Sequence, residues 1–103
     1  MARPYGEKFL LELNENTSDS LGVQLAKLCV KANLPATYVA VVLETTRTTV
    51  YSWFRGQGIR EDRRRNVDHF IRLVSEDLEK EILPAKTMKD ARQYVHQVSG
   101  LTI

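Results

Sequence analysis

The chain has 103 residues, 43% of them apolar and 27% charged, with a net charge of +2. That is material for one small domain around one core, with the composition of an ordinary globular chain rather than a disordered one. No apolar run approaches the roughly 20 residues of a membrane span, the N-terminus lacks a secretory pattern, and the single Cys29 excludes an internal disulfide, so a reducing cytoplasm is the expected location.

Residues 1–19 read as an N-terminal arm or a short helix. The run from Lys8 to Leu13 suits either, and Asn14 to Asp19 is polar linker material in which Ser18 or Asp19 suits a helix N-cap. Leu21, Leu25, Leu28, Cys29 and Ala32 then mark one face of a helix. Cys29 on that face reads as a small buried hydrophobe rather than a reactive thiol. Asn33 suits a left-handed helix end, and Pro35 suits the first turn of the helix that follows. Ala36 to Leu43 forms that second helix. Its valines also favour a strand, but the chain offers no partner strand of similar character, and a lone strand is unstable. Thr45 or Thr46 caps a third helix to about Arg55, with Val50, Trp53 and Phe54 inward and Gly56 and Gly58 ending it.

The segment GQGIREDRRRN reads as a polar, basic connector. Asn66 suits the cap of a fourth helix whose inner face is Val67, Phe70, Ile71, Val74, Leu78 and Ile82, stopped by Pro84. Thr87 with Asp90 has the spacing of a capping box and opens a fifth helix with Met88, Ala91, Val95 and Val98 inward, ended by Gly100. The prediction is an all-α fold of five helices. It divides into the arm or short helix over 1–19, a domain over 20–83, and a C-terminal helix within 84–103 that is a candidate dimerisation element.

The charge is local. Residues 47–65 carry Arg47, Arg55, Arg60, Arg63, Arg64 and Arg65 against Glu61 and Asp62, a net of +4, whereas the segments before and after each sum to −1. A confined positive field of this kind is the footprint of an anionic partner such as nucleic acid. The alternative is an arginine-rich solvated loop balanced by Glu61 and Asp62. Other chemistry finds little support. His69 and His96 are isolated from any Cys or His at metal spacing. No glycine-rich phosphate loop occurs, no nucleophile–base set stands out, and the carboxylates around Glu76 to Glu81 are interleaved with Lys80. No enzyme activity, cofactor, metal or small-molecule ligand is expected.

The stretch VAVVLETTRTTVYSWFRG resembles the helix-turn-helix of the phage repressor and Cro (lambda repressor-like) family. The matching positions are Val39-Ala40, Leu43, Thr46, Thr49-Val50, Trp53 and Arg55-Gly56, in register without a gap, and LAKLCVKANLP resembles the preceding helix. The likeness covers about Leu21 to Gly56, the fourth helix loosely, and neither end. It departs at the turn, where the family commonly has glycine and this chain has Glu44, and at the start of the second helix, where Thr37 and Tyr38 are the residues in reach of a backbone. A left-handed glutamate at such a turn costs roughly 1 kcal/mol, and its charge opposes an anionic partner.

The resemblance implies a five-helix lambda-repressor-like fold and a regulator, phage or bacterial, that acts as a repressor or activator by binding a pseudo-palindromic operator in double-stranded DNA as a homodimer. The third helix would then offer Arg47, Thr48, Tyr51, Ser52 and Arg55 to the major groove, with Arg47 suited to guanine and Thr48 to a thymine methyl or an amino group. Thr46 caps the helix end that approaches DNA. Thr37, Arg60, Arg63, Arg64 and Arg65 would meet phosphates. The location implied is the cytoplasm of a bacterium or phage-infected host. The rival reading is a protein-interaction module using the same face, such as a phage-encoded inhibitor of a host protein.

Overall fold

A computed structural model describes residues 5–17 and 20–99. These residues form six helices and no strand: α1 (Glu7–Glu15), α2 (Leu21–Ala32), α3 (Ala36–Val42), α4 (Arg47–Phe54), α5 (Glu61–Glu79) and α6 (Met88–Ser99). The all-α expectation holds, while the number of helices is larger than the five expected. Of the two readings left open for the N-terminus, the structure has the helix.

Helix α2 is the centre of the molecule. Gly22, Val23, Leu25, Ala26, Cys29 and Ala32 are buried on it, and it packs against α1, α4 and α5. Full burial pushes the Cys29 thiol far above its ordinary range, because a thiolate there would lose its hydration. Ser18 and Asp19, suggested as caps, lie outside the described residues; Ser20 holds the N-cap position, with the Val23 N–H directed at its hydroxyl over a long 3.4 Å. Asn33 ends α2 at φ 61°, and the Leu34 N–H returns to the Cys29 carbonyl at 2.9 Å. The Asn33 side chain then donates to the Ala85 carbonyl (2.7 Å), and the Ala85 N–H donates to the Ala32 carbonyl (3.0 Å). Those two bonds stitch the α5–α6 connection onto the end of α2.

Two boundaries differ from the sequence reading. Helix α5 starts at Glu61 rather than after Asn66, so most of the supposed connector is helical. Glu61 and Asp62 occupy its first turn, where acidic side chains complement the exposed N–H groups. At the other end α5 stops at Glu79, well short of Pro84. The Glu81 and Ile82 N–H groups fold back onto the Leu78 and Asp77 carbonyls, with Glu81 left-handed at φ 62°. Ile82, expected on the core stripe, is therefore outside the helix and 60% exposed.

Helix α6 packs across α3 and buries Ala91, Tyr94 and Val95. Thr87 caps it, accepting from the Asp90 N–H at 3.1 Å, as the sequence suggested. Met88, expected inward, is exposed. The proposed stop at Gly100 lies outside the described residues. The Tyr94 hydroxyl donates to Asp77 (2.6 Å) and ties α6 to α5; burial first, and then the bound carboxylate, push the Tyr94 phenol well above its ordinary range. Among the described residues no single helix is long and apolar enough to cross a membrane; α2 and α3 reach that apolarity only jointly, across a 117° bend.

The tightest constraint in the fold is at Gly22. A Cβ placed there would stand 2.1 Å from the Trp53 carbonyl oxygen and 2.7 Å from its carbon. Both are backbone atoms that no rotamer change can move aside. Gly22→Ala improves helix propensity by about 1 kcal/mol, but separating α2 from α4 outweighs it. A net loss of about 2 kcal/mol is expected, in the range of overpacked cores, which lowers Tm by about 10 °C for a domain of this size. Calorimetry showing an unchanged Tm would contradict so close a crossing.

Candidate nucleic-acid interface

The residues that lead into α4 are organised by a turn with one strained position. Glu44 is left-handed at φ 53°, where the sequence comparison called for a glycine. Its N–H reaches the Val41 carbonyl (3.2 Å), and the Thr45 N–H reaches the Ala40 carbonyl (2.9 Å), so α3 ends in paired backward bonds. Ala40 is buried, and α3 packs directly against α4. The carbonyls of Leu43 and Glu44 are then left pointing away from both helices. Arg63 takes them: its Nη1 donates to Leu43 O at 2.8 Å and to Glu44 O at 3.0 Å. A guanidinium against two carbonyl dipoles is a charge-assisted contact, and it brings the first turns of α5 beside the turn that precedes α4.

Thr46 opens α4 with an extended backbone. Its hydroxyl accepts from the Thr49 N–H (3.2 Å) and donates to the Thr49 hydroxyl (3.0 Å). At the far end Gly56 is left-handed at φ 101°, a conformation glycine adopts freely. Its N–H bonds the Trp53 carbonyl (2.9 Å), while the Gln57 N–H bonds the Ser52 carbonyl (3.1 Å). Val50, Trp53 and Phe54 are buried, which commits the opposite face to the outside.

On that outer face Arg47, Thr48 and Arg55 are exposed. Ser52 is half-buried and donates its hydroxyl back to the Thr48 carbonyl at 3.1 Å. Tyr51 is also half-buried, within a group of aromatic rings formed with Tyr5, Phe9 of α1 and Phe54 of α4. Thr37 is exposed on the first turn of α3. Arg60, Arg64 and Arg65 are exposed around the start of α5. Arg60 stands 3.7 Å from Asp62 with both ends in water, a pairing that holds neither strongly.

All eleven residues singled out from the sequence thus lie on α4 or at its ends, at the start of α3 or about the start of α5. One of them, Arg63, has its guanidinium on the turn carbonyls rather than standing free for a phosphate. Sequence reasoning missed three contributors: Gly22, which sets the closeness of α2 and α4; Arg63 as a strut; and the N-terminal aromatics Tyr5 and Phe9. Only the last left a periodic signal, in Tyr5, Phe9 and Leu13 at four-residue steps. No protein-family model, no curated protein and no solved structure matches the chain.

The two neighbouring arginines should separate in a urea titration. Arg63→Ala strands two carbonyls and should lose about 1 kcal/mol, the scale of a charge-assisted bond that is partly open to water. Arg64→Ala should stay within about 0.5 kcal/mol of the parent, as exposed substitutions usually do. Equal, negligible losses at both would contradict the strut.

Proposed function

We propose that α3, the turn at Glu44 and α4 are a helix-turn-helix of the phage-repressor type, and that the chain is a sequence-specific regulator of transcription that binds double-stranded DNA. The observation that carries the reading is the division of α4. One face is locked into the core by Val50, Trp53 and Phe54. The other presents Arg47, Thr48 and Arg55, and the exposed Arg60, Arg64 and Arg65 flank in the chain the Arg63 that binds the turn carbonyls. Glu61 and Asp62 have a local reason to be among these arginines, since they complement the N-terminus of α5. They do not neutralise the field.

In this reading α4 enters the major groove by its N-terminal end. Arg47 reaches guanine O6 and N7 with its paired donors, and Thr48 meets the adjacent base edge. Thr46 and Ser52, whose hydroxyls serve the helix itself, keep that edge rigid. Thr37, Arg55, Arg60, Arg64 and Arg65 meet phosphates, which supply most of the affinity and all of its salt dependence, and fix register without reading sequence. One short helix covers few base pairs, so a homodimer on a pseudo-palindromic operator is the working form. Among the described residues Leu11 on α1, Ile82 and Met88 are the exposed large apolar side chains, and the last two flank the α5–α6 connection, where pairing would engage them. Such a protein acts by occupying a promoter in the cytoplasm of a bacterium or an infected host, with no catalysis and no cofactor. Glu44 is the residue that opposes this partner, being exposed and acidic at the turn.

The test is selection of bound duplexes from a random pool, followed by anisotropy titrations at two salt concentrations. The expected product is a sequence with two related half-sites whose centres lie about 34 Å apart or a multiple of that. Arg47→Ala should relax the preference at one base pair per half-site. Arg64→Ala should weaken all duplexes alike and reduce the salt slope by about one per copy. Absence of binding at low salt would sink the DNA reading and leave a protein partner for the same face.

A further inference from the structure

Tyr51 shares a helix face with Arg47 and Thr48 in the sequence pattern, yet its ring is half-buried. It meets Phe9 edge-on, with centroids 5.6 Å apart and planes at 90°. It also meets Tyr5 at 6.4 Å and Phe54 at 5.6 Å, both near perpendicular. Tyr5 and Phe9 stack on each other at 5.4 Å. The Tyr5 hydroxyl donates to the buried Leu34 carbonyl, which anchors this aromatic group to the α2–α3 junction. The guanidinium of Arg47, one turn earlier on α4, lies over the Tyr51 ring with its carbon 5.4 Å from the centroid.

We propose that Tyr51 is a positioning residue for Arg47, and that the N-terminal aromatics, Tyr5 before α1 and Phe9 on it, make it one. The inference rests on the DNA-binding reading of α4. An arginine in the first turn of an exposed helix otherwise samples many rotamers, and binding must then overcome that lost freedom. Arg47 instead rests on the negative face of an aromatic ring. The ring cannot swing away, because Phe9, Tyr5 and Phe54 surround it. A guanidinium held over the ring by its charge leaves its N–H donors uncommitted to any protein acceptor there, and a pair of such donors is what guanine requires. The role belongs to the ring of Tyr51 and not to its hydroxyl, so Tyr51 makes no sequence contact of its own.

The test uses the full chain and two readouts. In the free protein, ring current from Tyr51 should shift the Arg47 side-chain methylene resonances upfield. The shift should persist in Tyr51→Phe and vanish in Tyr51→Leu, which keeps apolar bulk but has no π face; Tyr51→Met serves as a second apolar variant should leucine disturb the fold. With the duplex recovered by selection set against a scrambled one at fixed salt, Tyr51→Leu should lose about tenfold in discrimination per half-site, within the range of one bidentate contact in each. Arg47→Ala should lose at least as much and, having lost a positive charge, should also bind the scrambled duplex more weakly; Tyr51→Phe should lose none, and affinity for the scrambled duplex should be unchanged in the Tyr51 variants. Full discrimination in Tyr51→Leu, loss of it in Tyr51→Phe, or an unshifted Arg47 in the parent would each overturn the proposal. A parent that binds no DNA would overturn the regulator reading and the role within it, while the resonance shift would still report whether the ring holds the arginine.

Discussion

The structure depends on the contact between Gly22 of α2 and the backbone of Trp53 in α4. With no Cβ on Gly22, the two helices meet at a separation that any other residue would prevent. That approach seats Val50, Trp53 and Phe54 against the centre of the core. Once they are seated, the rotation of α4 about its axis is decided, and so is the set of side chains left outside. A helix of eight residues has little stability of its own. It is held by its caps at Thr46 and Gly56 and by this packing, and its outer face is a consequence of both.

The arginines divide by what surrounds them. Arg63 faces two backbone carbonyls at a strained turn and is consumed there. Arg47 lies over an aromatic ring that three other rings hold. Arg55, Arg60, Arg64 and Arg65 face water. A uniform basic patch would bind any polyanion. A patch with one member over an aromatic ring in the first turn of α4 and several exposed ones around the start of α5 is what the proposed partner asks for, since duplex DNA has both a regular charged backbone and an informative interior. The left-handed Glu44 fits the same account: the backbone strain of a non-glycine turn is borne where Arg63 braces the carbonyls on either side of it.

Much of this was readable in the sequence, for identifiable reasons. Helices α2, α3, α4 and α6 announce themselves by apolar periodicity, by Asn33 and Gly56 at their ends and by Thr46 and Thr87 at their starts. Left-handed backbone at Glu44 followed from the register of its neighbours. The start of α5 was hidden because Glu61 to Asn66 has no apolar residue to set a period; the clue was the acidic pair in its first turn. Ile82 was misplaced because its stripe was extended past the end of α5, which the backward hydrogen bonds near Glu81 decide; Met88 lies within α6, but as its first residue it is exposed rather than packed on the core. The strut at Arg63 spans about twenty residues of chain and has no local signature. Gly22 carries no sequence signal of its own; only the position of α4 shows it as a requirement. For Tyr51, periodicity gave the correct face but could not show that Tyr5 and Phe9 pack against the ring.

The central claim is that the outer face of α4 and the exposed arginines near the turn meet DNA together. Amide chemical-shift mapping of the labelled full chain, titrated with duplex DNA at low salt, tests this most directly. The account predicts that the perturbed amides cluster from Thr46 to Ser52 and at Thr37, Arg55, Arg60, Arg64 and Arg65, while the solvent face of α6 at Lys89, Arg92 and Gln93 stays silent. Perturbation centred on α6, or none anywhere, would contradict it.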